Sequence, residues 1–512
     1  MKKTMLLFLA LYTVFPLCQV HADVLQQRNP DGSLRQSIYD WNPDETAIVI
    51  CDMWDKHWCA GATARVAEMA PAMDKVLQEA RKQGILILHA PSDTLDFYEG
   101  TPQRERAINA PRAKQPGNEV RDKFKGLVEP PLPIDDSDGG CDCNPPCPDV
   151  NKNVWSREID TLSMEEGDIV SQDHTEVYNA LKNEGRSNVI VMGVHTNMCV
   201  LGRPFAIRAQ VKNGMNVALM RDLTDTMYNS RMAPFVDHHR GTDLVIQHIE
   251  ENWCPTITSS LFTGEAPFRF QSDERPHAVF ILHEDEYDAD KSVPAFAEAE
   301  LAQKLGWRCT YLFGDGLNNI PGLEVLQDAD LMVVFARRQV LPKEQLACIK
   351  AYSESGKPVV GIRTASHAFA PRGPIPKGHE AWQGFDPEIL GGNYNNHHGN
   401  KGPGKPRTLI WGLPEMKDHP VLKGVNLDKV PTRSWLYKVS PLEAGAIPLM
   451  MGTLDDDSVT PEPVAWVNTG KWGNRVFSTS LGHQDEFKDP NFEQLLMNGI
   501  LWAANIPARD KN

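Results

Sequence analysis

Ala47-Ile48-Val49-Ile50-Cys51 is a short, wholly apolar, β-branched run, and Val66, Met69, Met73, Val76, Leu77 and Ala80 follow at spacings of three and four. The first reads as a strand buried on both faces, the second as one apolar helix stripe. Gly84 ends that helix, and Ile85-Leu86-Ile87-Leu88 opens the next strand. Asn188–Met192 and Asn216–Met220 repeat the strand signal, with a helical stretch over Met198–Lys212 between them. Continuous apolar strands alternating with amphipathic helices predict an α/β fold whose mainly parallel sheet is covered on both faces, a three-layer α/β/α domain.

The second half keeps this architecture without repeating the sequence. Strands are expected at His277–Leu282, Arg308–Phe313, Leu331–Phe335, Pro358–Ile362 and Arg475–Thr479, and helices at about 293–305 and 343–355. Residues 262–276 lack periodicity and carry Pro, Gly and charge, which places a domain boundary near 272. A chain of 512 residues has room for two such domains, 23–271 and 272–512. Two long polar, Pro/Gly-rich stretches, 95–160 and 370–430, are read as segments covering the carboxyl ends of the sheets, where open α/β sheets hold ligands.

The formal charge of −16 argues against a duplex-DNA partner, which calls for Lys and Arg to neutralise phosphates. At the N-terminus, Lys2 and Lys3 precede the apolar run Met5–Phe15, and Val20-His21-Ala22 offers a cleavage site. A run of 11 is too short to span a bilayer. The expectation is a signal peptide over 1–22, cleavage after Ala22, and a periplasmic or secreted protein. Cys18 invites a lipid anchor, but Phe15-Pro16-Leu17 lacks the small residues that precede such a cysteine. In an oxidising compartment some cysteines are expected to pair. Cys141-x-Cys143-x3-Cys147 is the densest group; its spacing fits no common zinc pattern and no histidine lies nearby, so disulfides are favoured over free thiols or a metal.

Asp52 stands at the carboxyl end of the first strand, and Cys199 opens a helix after another. The two can therefore converge in one crevice. A helix N-terminus favours thiolate, and Asp52 could exchange a proton with it. A small buried core cysteine and a helix-capping aspartate are the plainer readings of the same residues.

Residues 45–262 resemble the isochorismatase-like cysteine hydrolase family, through Ile48-Val49-Ile50-Cys51-Asp52-Met53-Trp54, Gly193-Val194-His195-Thr196-Asn197-Met198-Cys199-Val200 and Arg221-Asp222-Leu223-Thr224-Asp225. The resemblance implies an Asp–Lys–Cys triad, a thioester-type intermediate and hydrolysis of small amides such as nicotinamide or N-carbamoyl compounds. It also implies a cis peptide at Val194–His195, beside the oxyanion site. Asp52 and Cys199 carry over. The lysine does not: ungapped counting puts Gln172 in its place, and Gln supplies no charge. His174, Lys56 and His57 are the candidate substitutes. Trp54, His57 and His89 are assigned to the substrate pocket. The Asp-x-His metal motif of nicotinamidase-like members is lacking, a buried and satisfied His89 is favoured over a ligand, and neither metal nor cofactor is expected.

Residues 275–508 resemble the ThuA-like domain, named for trehalose utilisation and related to class I glutamine amidotransferases. The stretches that carry this are Asp328-Ala329-Asp330-Leu331, Gly356–Phe369 and Thr479-Ser480-Leu481-Gly482-His483. Arg363 stands where the amidotransferases place their elbow cysteine, so glutaminase chemistry is not expected. Arg363, Thr364, His367, His483 and Asp485 are taken as lining a polar pocket for a carbohydrate-like ligand; His397 and His398 are adjacent, and neighbours in a strand face apart. The preferred reading is an exported hydrolase of a small-molecule amide or other C–N bond. A catalytically silent binding protein, or sugar-derivative chemistry confined to the second half, are the alternatives. Oligomerisation is left open.

Overall fold

The computed structural model describes residues 24–117, 126 and 128–506. The expected signal peptide and its cleavage point lie outside them. The first sheet contains β1 (Val24–Arg28), β2 (Leu34–Ile38), β3 (Thr46–Cys51), β4 (Leu86–Ala90), β5 (Ile169–Val170), β6 (Asn188–Val194), β7 (Asn216–Asp225) and β8 (Thr256–Ile257), in the order β2-β1-β8-β7-β6-β3-β4-β5. From β8 to β5 every pairing is parallel, and β1 and β2 close one edge antiparallel.

β3 sits at the centre, buried along its whole length. Ala47, Val49 and Cys51 face one core, while Ile48 and Ile50 face the other. Helix α1 (Ala60–Lys82) lays Val66, Met69, Met73, Val76, Leu77 and Ala80 on that second core, as their spacing requires. From β3 the chain moves outward to β4, whereas β6 leads to β7 on the opposite side. The strand order therefore reverses between β3 and β6, and a crevice opens at their carboxyl ends.

The expected helix over Met198–Lys212 is not one helix. A five-residue π-turn, Thr196–Val200, is followed by a break and a short helix, Ile207–Lys212. Pro204 interrupts it, lacking an N–H and crowding the preceding turn.

The second sheet runs Arg308–Phe313, His277–His283, Leu331–Ala336, Val359–Ile362, Arg475–Thr479, Glu462–Thr469, Ile447–Leu454, Thr408–Gly412, Val430–Thr432. The first five are parallel and the last four add antiparallel. The five expected strands are present; the antiparallel extension was not foreseen. Thr408–Gly412 alternates buried and half-buried positions, a period-two signal too brief to stand out among the Pro/Gly-rich loops around it. The segment between the sheets, read as featureless, is pinned to both: Phe270 packs into the first core, Arg275 pairs with Asp243, and Arg269 reaches Asp328. Among the described residues, no helix is long and apolar enough to cross a membrane.

Candidate functional site

Asp52 follows β3 directly, at a left-handed φ of 49° that turns its carboxylate into the crevice. The side chain is fully buried. Oδ1 accepts the Ser92 N–H at 2.8 Å, and Oδ2 accepts the Arg203 Nε–H at 3.0 Å. Cys199 is an electrostatic neighbour of the same carboxylate, each acting on the other's proton affinity. Cys199 lies in the π-turn that follows β6, beyond the Val194–His195 peptide, which is cis. Cys199 is a half-buried residue packed against the edge of the core.

The cation missing from the sequence reading is Arg203. It pairs with Asp52, and its charge also acts on Cys199. Four residues after Cys199, it returns to the same side of the chain one turn on, where Arg203 N–H bonds Cys199 O at 2.9 Å. That i,i+4 relation is legible in Cys199-Val200-Leu201-Gly202-Arg203, whereas ungapped counting points to Gln172.

Gln172 does not take the lysine's role: its Oε1 accepts the Asp93 N–H at 2.7 Å and holds the loop after β4. His174 Nδ1 bonds Pro204 O at 2.7 Å, bracing the turn that carries Arg203. Lys56 is exposed. Gln172 thus supports the loop after β4, and His174 the turn that carries Arg203.

Electrostatics corrects a second expectation. Burial and the neighbouring Asp52 charge push the Cys199 thiol up to about 12, against the weaker opposing pull of Arg203. A five-residue turn carries little macrodipole, so the resting sulfur is a thiol. Burial also raises Asp52, with Arg203, Cys199 and the hydrogen bond from Ser92 opposing. The result is a proton held on sulfur beside a carboxylate able to take it.

The residues assigned to the pocket divide. Trp54 Nε1–H donates to Ser92 O at 2.9 Å and its ring stacks on Trp155 at 4.2 Å; His57 lies nearly parallel to Trp155 at 5.7 Å. Burial and Arg65 lower His57 to about 4, so it stays neutral. His195, 2% exposed, meets His57 edge to face at 4.9 Å. His89 is not in the pocket. It is fully buried, with Nδ1 2.6 Å from Glu158 and Nε2 3.3 Å from Asp168. Burial alone would depress it, but the two carboxylates prevail and raise it to about 9, so it is a cationic strut. The long segment before β5 does cover the crevice: Trp155 stacks on Trp54, Asp136 accepts from Asn197 at 2.7 Å, and Ser156 bonds Asp55.

In the second domain, Arg363 occupies the elbow after Val359–Ile362 at φ 48°. It is 1% exposed and donates to Ser480 O at 2.7 Å and Tyr287 Oη at 3.1 Å. Its guanidinium lies 4.3 and 4.7 Å from the Tyr287 and Tyr437 rings. Arg363 and the fully buried Thr364 are therefore the floor of the site, not its lining. Above them a space of about 130 Å³ is bordered by His367, His397, Trp435, Tyr437 and the cations Arg337, Arg338, Arg372 and Lys401, with Glu286 as the acid. His367 stacks on Tyr394 at 4.3 Å, and burial among the arginines depresses it to about 2. His483 borders Tyr287 and Trp435, while Asp485 belongs to the adjoining cleft of Thr432 and Glu486. His398 turns away to Glu462 at 3.1 Å.

Residues 278–503 match the family model ThuA, described as trehalose utilisation. None of the curated proteins matches the chain. A ThuA-like protein from Parabacteroides merdae ATCC 43184 is 19% identical over 46% of this chain and 93% of its own, with a TM-score of 0.36. A cysteine hydrolase from Pseudomonas syringae pv. phaseolicola 1448A is 16% identical over 43% of this chain and 92% of its own, with a TM-score of 0.27. An isochorismatase from Pseudomonas putida KT2440 is 14% identical over 44% and 93%, with a TM-score of 0.26.

Proposed function

We propose that the protein hydrolyses a small amide or related C–N bond through Cys199. The observation that carries this reading is a buried carboxylate, Asp52, paired with the Arg203 guanidinium and electrostatically coupled to Cys199, where the strand order reverses. The thiol proton passes to Asp52 as sulfur adds to the substrate carbonyl. N–H groups of the Thr196–Val200 turn meet the developing oxyanion. On collapse the C–N bond breaks, and Asp52 returns the proton to the departing nitrogen. A water then gives a proton to Asp52 and adds to the thioester; the C–S bond breaks, the acid leaves, and the proton returns to sulfur. Arg203 opposes the protonation of Asp52 in its buried position and favours the thiolate, supplying the positive charge that the resemblance gives to a lysine.

The test is Cys199→Ala against a panel of small amides and N-carbamoyl compounds. Wild type is expected to turn over a member of the panel, and the variant to lose essentially all of that activity. Full activity in the variant would remove the covalent mechanism.

A second reading concerns the other domain. Arg337 is paired with Asp285 and Glu286, and the further positive charge of Arg338, Arg372 and Lys401, with Trp435 and Tyr437 beside them, favours a hydroxyl-rich anion such as a sugar acid over a neutral sugar. Isothermal titration of the full chain is expected to show a uronic acid binding at least about tenfold more tightly than the corresponding aldose, one charge-assisted hydrogen bond contributing about 1.5–3 kcal/mol. Arg372→Gln should narrow that gap, and equal affinities in wild type would remove the preference for an anion.

A further inference from the structure

Cys59 caps the N-terminus of α1, and the other three cysteines of the dense group come from the segment covering the crevice. The four sulfurs of Cys59, Cys141, Cys143 and Cys147 all lie within 4.8 Å of one another. These are free thiols, not the disulfides expected from composition. Cys59 and Cys143 stand 3.7 Å apart, far from the ~2.05 Å of an S–S bond. Four thiolates bound tetrahedrally at about 2.3 Å would have their sulfurs about 3.8 Å apart. The Cys59–Cys143 separation thus matches the edge of a tetrathiolate tetrahedron, and the others fall within 4.8 Å.

The surroundings are those of a metal–thiolate centre. The Ala60 N–H donates to Cys147 Sγ and the Gly61 N–H to Cys143 Sγ, both at 3.3 Å. Such donors disperse thiolate charge and orient the ligands. At Gly61 a Cβ would come within 3.2 Å of Cys143 Sγ and of Arg65 Nη1, so the space beside the sulfurs admits only glycine without a shift. Gly140, at φ 72°, would drive a Cβ to 2.3 Å from Met227 O, and this close approach brings Cys141 in. Arg65 has a buried Nη2 without a hydrogen-bond partner, and Arg231 donates to Cys143 O at 3.3 Å. Both are cations beside a centre whose four thiolates and one divalent ion would carry net negative charge.

We propose that Cys59, Cys141, Cys143 and Cys147 bind one Zn²⁺ as a closed structural site. All-sulfur tetrahedral ligation selects zinc or iron among the first-row ions, and four protein ligands leave no open position for catalysis. The ion would join the loop between β3 and α1, which carries Asp52, Trp54 and His57, to the covering segment that carries Asp136 and Trp155. Two chain regions separated by about 80 residues of sequence would then be held as one wall of the crevice. The sequence spacing concealed this, because the fourth ligand comes from far upstream.

The full-length chain, purified under reducing conditions and passed through a desalting column, is expected to hold about one zinc per chain by elemental mass spectrometry. Cobalt should replace it, with the strong visible absorption of tetrahedral Co²⁺–thiolate. The double variant Cys141→Ser/Cys143→Ser should bring metal down to near zero, and Cys254→Ser, a buried thiol elsewhere, should leave it at one. Reactive-thiol counting with and without chelator on wild type gives the same answer without relying on the variant's folding: four thiols should become reactive as zinc leaves. Wild type that takes up no zinc after reduction and zinc addition would overturn the proposal. So would iron in its place, or disulfides among these cysteines in non-reducing peptide mapping of protein never exposed to reductant.

Discussion

Asp52→Asn is expected to lower turnover by about 10²–10⁴-fold, the range for loss of a positioned acid–base group, and at the same time to make Cys199 easier to alkylate. The two effects run in opposite directions because Asp52 has two roles. As a base it takes the thiol proton during the reaction. As a resting charge it holds that proton on sulfur, and with burial it keeps the thiol at about 12. Asn keeps the contact with the Ser92 N–H but carries no charge, leaving Arg203 to favour the thiolate against burial alone. With a pKa of about 12 the thiolate is roughly one part in ten thousand at pH 8, so wild-type alkylation should be slow and rise about tenfold per pH unit. In Asp52→Asn the whole profile should move to lower pH. Rates of iodoacetamide labelling at Cys199, read by peptide mass spectrometry from pH 6 to about 10, check this. A variant that labels no faster than wild type would mean that Asp52 does not act on the sulfur.

Arg203→Met should reduce stability more than any other single change at the site. Asp52 is 0% exposed, and Arg203 is the cation that pairs with it. Removing one partner of a fully buried pair costs about 3–5 kcal/mol; the Arg203 side chain is 32% exposed, which lowers the expectation to about 2–3 kcal/mol. Urea unfolding measures it. The sign of its pH dependence follows from Asp52, whose folded pKa is raised and would rise further without Arg203. A group that binds its proton more tightly when folded destabilises the fold as pH climbs through its titration, so the deficit should shrink on acidification. Arg203→Lys should recover much of the loss, and adding Asp52→Asn to Arg203→Met should relieve it, since no buried charge is then left alone. Equal losses in the single and double variants would place the effect in packing of the arginine stem.

Much of this architecture could be read from short-range pattern. Ala47–Cys51 is apolar at every position because a central parallel strand is covered on both faces, and the residues from Val66 to Ala80 form a stripe because one helix face meets that sheet. Strand and helix order then placed Asp52 and Cys199 at the ends of neighbouring strands, and the two do meet. Arg203 is not legible from position along the chain, because a charge acts through distance in space: a guanidinium one turn beyond Cys199 stands beside Asp52, where the resemblance implies a lysine from another strand. His89 was misplaced for the same reason, since Glu158 and Asp168, which occupy its two nitrogens, lie about 70 and 80 residues downstream.

The sequence by itself determined the elements whose cause is local: the buried strands, the amphipathic helices, the two-sheet plan, and the acid and the sulfur at adjoining strand ends. Only the tertiary structure decided which cation completes the pair, that the sulfur rests protonated, that Arg363 is a floor and not a ligand, and that Cys59 joins three cysteines from a distant loop. Periodicity records what each residue's immediate backbone needs. Ionisation and ligation depend on which charges and sulfurs come within a few ångströms after folding, and that distance is not encoded in spacing along the chain.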